Sequence, residues 1–354
     1  MPVAHAVPAF ARKYEVPCSA CHDVYPKLNP FGRAFRESGF VFPGERVDWQ
    51  KTIAKVPLSA RTEVNVTVSD GRQDQFFLFK PILAGNLGNR VSFWVDRSFA
   101  AFRMESRDVG DGDLDDFGTD NAWLRINFSP AFYIKGGKFE LDLPYSSRRN
   151  HSLFPLEPWV TSQGGNPTVL GLPQEGVEAG GSHAGWHYSL AAVEGVNVAN
   201  DDFNGDTYVR IARDVGVHRV GGFYYAGRNK ISEVGGETTN RFRRYGFDAE
   251  ARIGRLDLHG VWMRGAGDRP LTGTGQNTFS SGFLQADLRL GEPFNWVTRI
   301  GFTDFEGDAR GALTHYYVGL QYWAIGQRVR LAVEQGWFEG GQPDTFQFAC
   351  AVAF

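Results

Sequence analysis

From residue 58 onward the chain alternates apolar and polar side chains with a period of two, the pattern of strands whose two faces meet different surroundings. In Ala122-Trp123-Leu124-Arg125-Ile126-Asn127-Phe128 the even positions are apolar, and Arg125 and Asn127 point the other way. Leu284, Ala286, Leu288 and Leu290 interleave with Gln285, Asp287 and Arg289, and Val329, Leu331 and Val333 interleave with Arg328, Arg330 and Glu334. Tyr245, Phe247, Ala249, Ala251 and Ile253 oppose Arg244, Gly246, Asp248, Glu250 and Arg252. Charged residues along one whole face of strand after strand are foreign to a soluble sandwich. They are expected of a membrane barrel with lipid outside and a polar lumen. The pattern predicts strands at 58–68, 75–87, 90–103, 119–128, 131–140, 175–182, 186–195, 206–213, 217–227, 241–253, 255–265, 279–290, 294–303, 313–324, 328–338 and 344–354, about 16 in all.

The breaks between these strands support the same architecture. Tight turns at Gly88-Asn89, Ser129-Pro130, Asp214-Val215-Gly216, Gly254, Gly291-Glu292-Pro293 and Ile325-Gly326-Gln327 alternate with longer polar connections, as in barrels with short periplasmic turns and long external loops. Phe346, Phe348, Cys350, Val352 and Phe354 alternate to an aromatic last residue, resembling the terminal strand signal of outer-membrane proteins. The opposite face, Gln347, Ala349, Ala351 and Ala353, is small enough to leave lumen space for an inserted segment. Composition agrees: 43 glycines, 29 phenylalanines, 12 tyrosines and 9 tryptophans against 3 methionines suit aromatic-rich sheets with many turns. No apolar run is long enough for a transmembrane helix, and a net charge of -3 gives no reason to expect nucleic acid as a partner.

Residues 7–57 have a different texture and carry the chemistry. Cys18-Ser19-Ala20-Cys21-His22 is a C-x-x-C-H run, the attachment signature of a c-type haem: Cys18 and Cys21 would bond the porphyrin vinyl groups and His22 would be an axial iron ligand. A redox dithiol would want a βαβ context and a zinc site a second ligand pair, whereas the remaining cysteine is the distant Cys350. One haem c is therefore the expected cofactor. Leu28, Phe31 and Phe35 recur at helical spacing beside Asn29-Pro30, predicting a short helix whose apolar face lies against the porphyrin. A segment of about 50 residues is near the lower limit for independent stability and needs a wall from the rest of the chain. Ala4-His5-Ala6 has the A-x-A form of a signal peptidase site, so residues 1–6 read as the end of an export leader, with His5 part of that leader.

The C-x-x-C-H run lies between Pro8-Ala9-Phe10-Ala11-Arg12 and Pro26-Lys27-Leu28-Asn29-Pro30-Phe31-Gly32-Arg33, ahead of a porin-like barrel. This arrangement resembles the outer-membrane monohaem cytochrome-porin fusions of iron-oxidising bacteria. The resemblance is specific in the first 45 residues or so and architectural beyond them. It implies an all-β protein: an antiparallel transmembrane barrel, residues 58–354, with a small N-terminal c-type haem segment, residues 7–57, plugging its lumen. It further implies oxidation of extracellular Fe(II), electron delivery to a periplasmic c-type cytochrome, and a place in the lipid of the bacterial outer membrane. If the chain is an enzyme, it is an Fe(II):cytochrome c oxidoreductase. Two other readings stay open: a diffusion porin whose haem segment is structural or sensory, and a haem enzyme of the peroxidase kind.

No histidine or methionine lies between His22 and Met104, so a sixth iron ligand, if there is one, comes from the barrel wall. Strand parity offers His187, His259, Met263 and His315 as inward candidates, with Met104 near a rim. The long stretch from Leu141 to Gln174 exceeds a simple connector and is expected either to fold into the lumen or to cover the outer mouth, with His151 on its surface. Asp108, Asp111, Asp113, Asp115, Asp116 and Asp120, Asp201, Asp202 and Asp206, and Asp304, Glu306 and Asp308 read as solvated external loops, with attraction of cations toward the haem mouth as the sharper alternative.

Overall fold

A computed structural model of the chain describes residues 8–42, 58–104, 115–145, 151–161, 170–195, 205–233, 236–268, 278–291, 293–306, 312–325, 327–339 and 343–353. The leader motif around His5, and the loop aspartates at 108, 111, 113, 201, 202 and 308, lie outside these residues. Asp115, Asp116 and Asp120 stand in a strand (Asp115–Ser129), as do Asp304 (Phe294–Phe305) and the buried Asp206 (Asp206–Val215), because strand pairing runs further toward the rim than the alternation marks.

Sixteen antiparallel strands, β3 (Leu58–Ser69) to β18 (Thr345–Ala353), close into one barrel. Each pairs with its sequence neighbours, and closure comes from β18 on β3, with Ala353 opposite Arg61 and Thr345 opposite Ser69. Every predicted strand is present. Lipid-side positions such as Leu124, Ile126, Phe247, Ile253 and Ile300 are exposed, while Arg125, Asp248, Asp287 and Arg330 are buried inside. On β18 the exposed face is Phe346 and Phe348, and the inward face is the buried Ala349, Ala351 and Ala353. A closed ladder satisfies every strand's backbone groups and leaves no edge, which is what lets a sheet sit in hydrocarbon.

Three sequence expectations change in detail. The connection of β3 to β4 (Arg72–Leu87) is two residues, Asp70 and Gly71, both with positive φ (51° and 71°). This is the Asp-Gly hairpin geometry that lets strands continue right up to the turn, so this connection on the long-loop rim is short. Strands β11 (His218–Glu233) and β12 (Gly236–Ile253) run further than 227 and 241, because their pairing continues to Glu233 opposite Gly236. Leu28 lies outside the predicted helix, in β2 (Lys27–Leu28), which pairs with β1 (His22–Val24).

The lumen is occupied from both ends. Helix α1 (Pro8–Tyr14) and helix α2 (Pro30–Glu37) pack together through Phe10, Tyr14, Phe35, Phe40 and Phe42, with ring centroids 4.2–5.8 Å apart. This unit meets inward side chains near the tight-turn rim. Asn86 and Ser92 donate to the Gly39 carbonyl at 2.6 Å each, Phe40 stacks on Trp123, and Glu37 accepts from Arg219 at 2.7 Å. From the other rim, the connection between β7 (Phe132–Phe139) and β8 (Gln174–His183) turns inward, burying Leu141, Leu156, Trp159 and Leu170 completely. Its short helix α3 (Glu157–Val160) rests on β13 (Leu256–Gly267), β14 (Thr278–Gly291) and β15 (Phe294–Phe305). Of the two placements expected for this connection, the lumenal one is observed. His151 is a correction: it is fully buried, because its imidazole pairs with Asp287 at 2.9 Å and its carbonyl accepts from Arg330 and Gln321.

Candidate functional site

Cys18 and Cys21 sit at the two ends of one 3-10 turn, Cys18–Ala20, closed by the Cys21 N–H donating to the Cys18 carbonyl at 3.0 Å. That turn brings both thiols to one region of chain, as two thioether bonds to a single porphyrin require. Asn29 fastens the turn to α2. Its side-chain amide donates to the Ala20 carbonyl at 3.0 Å, its backbone N–H donates to Cys21 at 2.9 Å, and its side-chain oxygen caps α2 by accepting from Gly32 N–H at 2.8 Å. Gly32 touches the turn so closely that a Cβ there would lie 2.0 Å from the Cys21 carbonyl oxygen. Gly32→Ala is therefore expected to push α2 off the turn. Haem staining of the purified protein should fall severely, and staining equal to the unmodified chain would refute this role for Gly32.

His22 follows in β1, its ring 5.2 Å from that of Tyr25. Burial pushes its imidazole down to about 4, against the opposing pull of the Lys27 and Pro26 carbonyls and Asp23, so it is neutral. Its Nδ1 is buried without a hydrogen-bond partner among the described residues. A neutral imidazole is the form that binds iron, and neither Cys18 nor Cys21 forms a disulfide. Burial raises the Cys21 thiol, keeping it protonated. Phe31, on α2 beside Phe42, is 47% exposed despite belonging to this aromatic cluster. Among the described residues no group of three or more His, Cys, Asp or Glu is arranged to hold a bare metal ion. The donor set fits a covalently attached haem: Cys18 and Cys21 would tether it, His22 would ligate its iron and Phe31 would lie along an apolar edge.

The segment is clamped in the lumen by ion pairs that sequence reasoning did not anticipate. Lys27, only 2% exposed, reaches Asp257 on β13 and Asp287 on β14 at 2.8 Å each. Asp287 also takes the imidazole of His151, so one carboxylate joins the N-terminal segment to the inward-folded connection. Asp23 pairs with Arg252, and Arg33 with Glu250. The two carboxylates outweigh the desolvation of Lys27 and hold its ammonium charged, above the usual lysine range.

The sequence-derived sixth-ligand candidates are dispersed. His187 donates from Nε2 to the Asp142 carboxylate at 2.7 Å, and its Nδ1 shares a hydrogen bond with the Ser182 hydroxyl at 3.0 Å. His259 stacks on Tyr145 at 4.4 Å, Met263 is fully buried in the apolar cluster around Trp159, and His315 lies 3.7 Å from Glu157. Met104 ends β5 (Val91–Met104), backbone-paired with Asp74, and its side chain is outside the described residues. None of these four described side chains joins another at a common point.

No protein-family model matches the sequence, and no curated protein matches it. Among solved structures the chain is similar to "Salmonella typhi OmpF complex with Daunomycin", with a TM-score of 0.61 and 10% identity over 84% of this chain and 97% of that one. It is also similar to the "Anion-selective porin from Comamonas acidovorans", with a TM-score of 0.59 and 13% identity over 84% and 98%. The outer membrane channel DcaP of Acinetobacter baumannii gives a TM-score of 0.56 and 10% identity over 84% and 96%. With its apolar exterior and polar lumen, the chain is a porin-type β-barrel of the bacterial outer membrane.

Proposed function

We propose that the chain is an outer-membrane electron conduit that oxidises extracellular Fe(II) at a lumenal c-type haem and hands the electron to a periplasmic c-type cytochrome. A haem bound at this site would exchange one electron at a time between the external donor and the periplasmic acceptor. Cys18 and Cys21 would hold it and His22 would ligate its iron, while Asn29 with Gly32 fixes the Cys18–Cys21 turn on α2. The observation that carries the reading is Asp287, which takes Lys27 from the N-terminal segment and His151 from the inward-folded connection. An electron route is compatible with a lumen filled from both ends; free passage of solute is not favoured by it. Keeping Fe(II) outside would also keep its insoluble ferric product out of the periplasm.

A second reading, solute diffusion past a structural or sensory haem segment, is favoured by the likeness to channel-forming porins. One preparation separates the two. The full chain is placed in outer-membrane vesicles, Fe(II) is added outside, and the haem spectrum is followed while conductance is measured in planar bilayers. The conduit requires haem reduction within the mixing time and low conductance. An unchanged oxidised spectrum with porin-sized conductance would reject it in favour of diffusion.

A further inference from the structure

Three arginines point outward from the barrel near its long-loop rim. On β11 and β12, Arg228 lies directly opposite Arg241, and Arg243 follows two residues along β12 on the same face. All three are exposed, and with Tyr224, Ala226, Asp206 and Asp268 they line an open recess of about 640 Å³. Like charges facing each other across a strand pair destabilise it. The neighbouring Arg264 has a carboxylate partner, Glu306 at 3.0 Å, but no described side chain pairs with Arg241 or Arg243. Two acids line the recess: Asp268 on the outward side, and Asp206, whose carboxylate is already engaged in accepting from the Tyr225 hydroxyl and the Arg228 N–H.

Height identifies what meets these guanidinium groups. Up the outer face of β12 the order is Ile253, Ala251, Ala249, Phe247, Tyr245, then Arg243 and Arg241. From Ile253 to Arg243 the rise is ten residues, which at about 3.3 Å each and a tilt of about 40° is about 25 Å, the height of the apolar band of such barrels. Tyr224 and Tyr245 are cross-strand partners at the top of that band, in the position of an aromatic girdle. The arginines therefore stand at the headgroup level of the outer leaflet. A second copy of this chain is a poor occupant, since a symmetric contact would bring the same positive patch against itself.

We propose that Arg228, Arg241 and Arg243 bind the phosphate of a phosphorylated outer-leaflet glycolipid, a lipid A, whose acyl chains lie against Phe247 and Trp262 below. Guanidinium forks match phosphate oxygens bidentately, and the shared anion relieves the repulsion between them.

The test uses the full chain, folded in detergent, with bis-phosphorylated lipid A, dephosphorylated lipid A and inorganic phosphate as probes and native mass spectrometry as readout. The unmodified chain should retain bis-phosphorylated lipid A, and R241Q/R243Q should retain it about tenfold less or weaker still. R241K/R243K should fall between them. Equal retention by R241Q/R243Q, equal binding of dephosphorylated lipid A, or displacement by inorganic phosphate alone would overturn the proposal. So would a change of oligomeric state in the variant without loss of lipid. Heat-modifiable gel migration reports whether each variant is folded. Should R241Q/R243Q not fold, raising salt on the unmodified chain must strip the lipid, and salt-independent retention overturns the proposal.

Discussion

Replacing both Cys18 and Cys21 with alanine is expected to remove covalent haem from the full-length band while leaving a heat-modifiable barrel. The strand ladder that closes β18 onto β3 uses neither cysteine, and the two thiols lie on a turn whose backbone bonds do not depend on sulfur. Oxidation of external Fe(II) by vesicles carrying this variant should drop to the level of membranes without the protein. His22→Ala, by contrast, should keep the haem stain and alter the spectrum of its iron, because the tether and the ligand are separate residues. Undiminished iron oxidation by the double cysteine variant would remove the haem from the function. A lost stain together with a barrel that no longer shifts on heating would instead make the N-terminal segment essential to assembly.

Lys27→Met is expected to cost the docking of the N-terminal segment about 3–5 kcal/mol, since buried Asp257 loses its near cation and Asp287 keeps only the His151 imidazole and the Gln285 amide. Both Asp257 and Asp287 are nearly solvent-free, and Arg252 is 3.9 Å from Asp257, too far to replace Lys27 without rearrangement. The loss should appear locally, because the barrel's own hydrogen bonds are untouched. Residues 8–42 should become cleavable by protease added on the tight-turn side, and single-channel conductance should rise as that end of the lumen opens. Combining Lys27→Met with Asp257→Asn should recover part of the protection by removing one uncompensated charge. A segment that remains protease-resistant in Lys27→Met would show that the aromatic contacts of Phe40 with Trp94 and Trp123 suffice to hold it.

The strands were legible because their signal is local. A residue two positions along a strand returns to the same face, so Leu284 to Leu290 against Gln285 to Arg289 states which side meets lipid before any partner strand is known. The C-x-x-C-H motif was legible for the same reason, since Cys18, Cys21 and His22 are held on one stretch of chain. The fold of the long connection was not: Leu141 to Gln174 reads as polar loop with prolines, and His151 carries no local mark of burial. Nor did alternation distinguish Asp257 and Asp287 from the many other inward charges, although they receive Lys27.

From the sequence alone followed a sixteen-stranded barrel with an apolar exterior, a polar interior and a C-x-x-C-H turn ahead of it. Tertiary structure decided what fills that interior, and where. Lys27, His151, Asp257 and Asp287 come from four distant parts of the chain, and every strand offers polar side chains to the lumen. Which cation meets which carboxylate depends on the height and register at which two separate segments enter, a distance in space that no periodicity along the chain records.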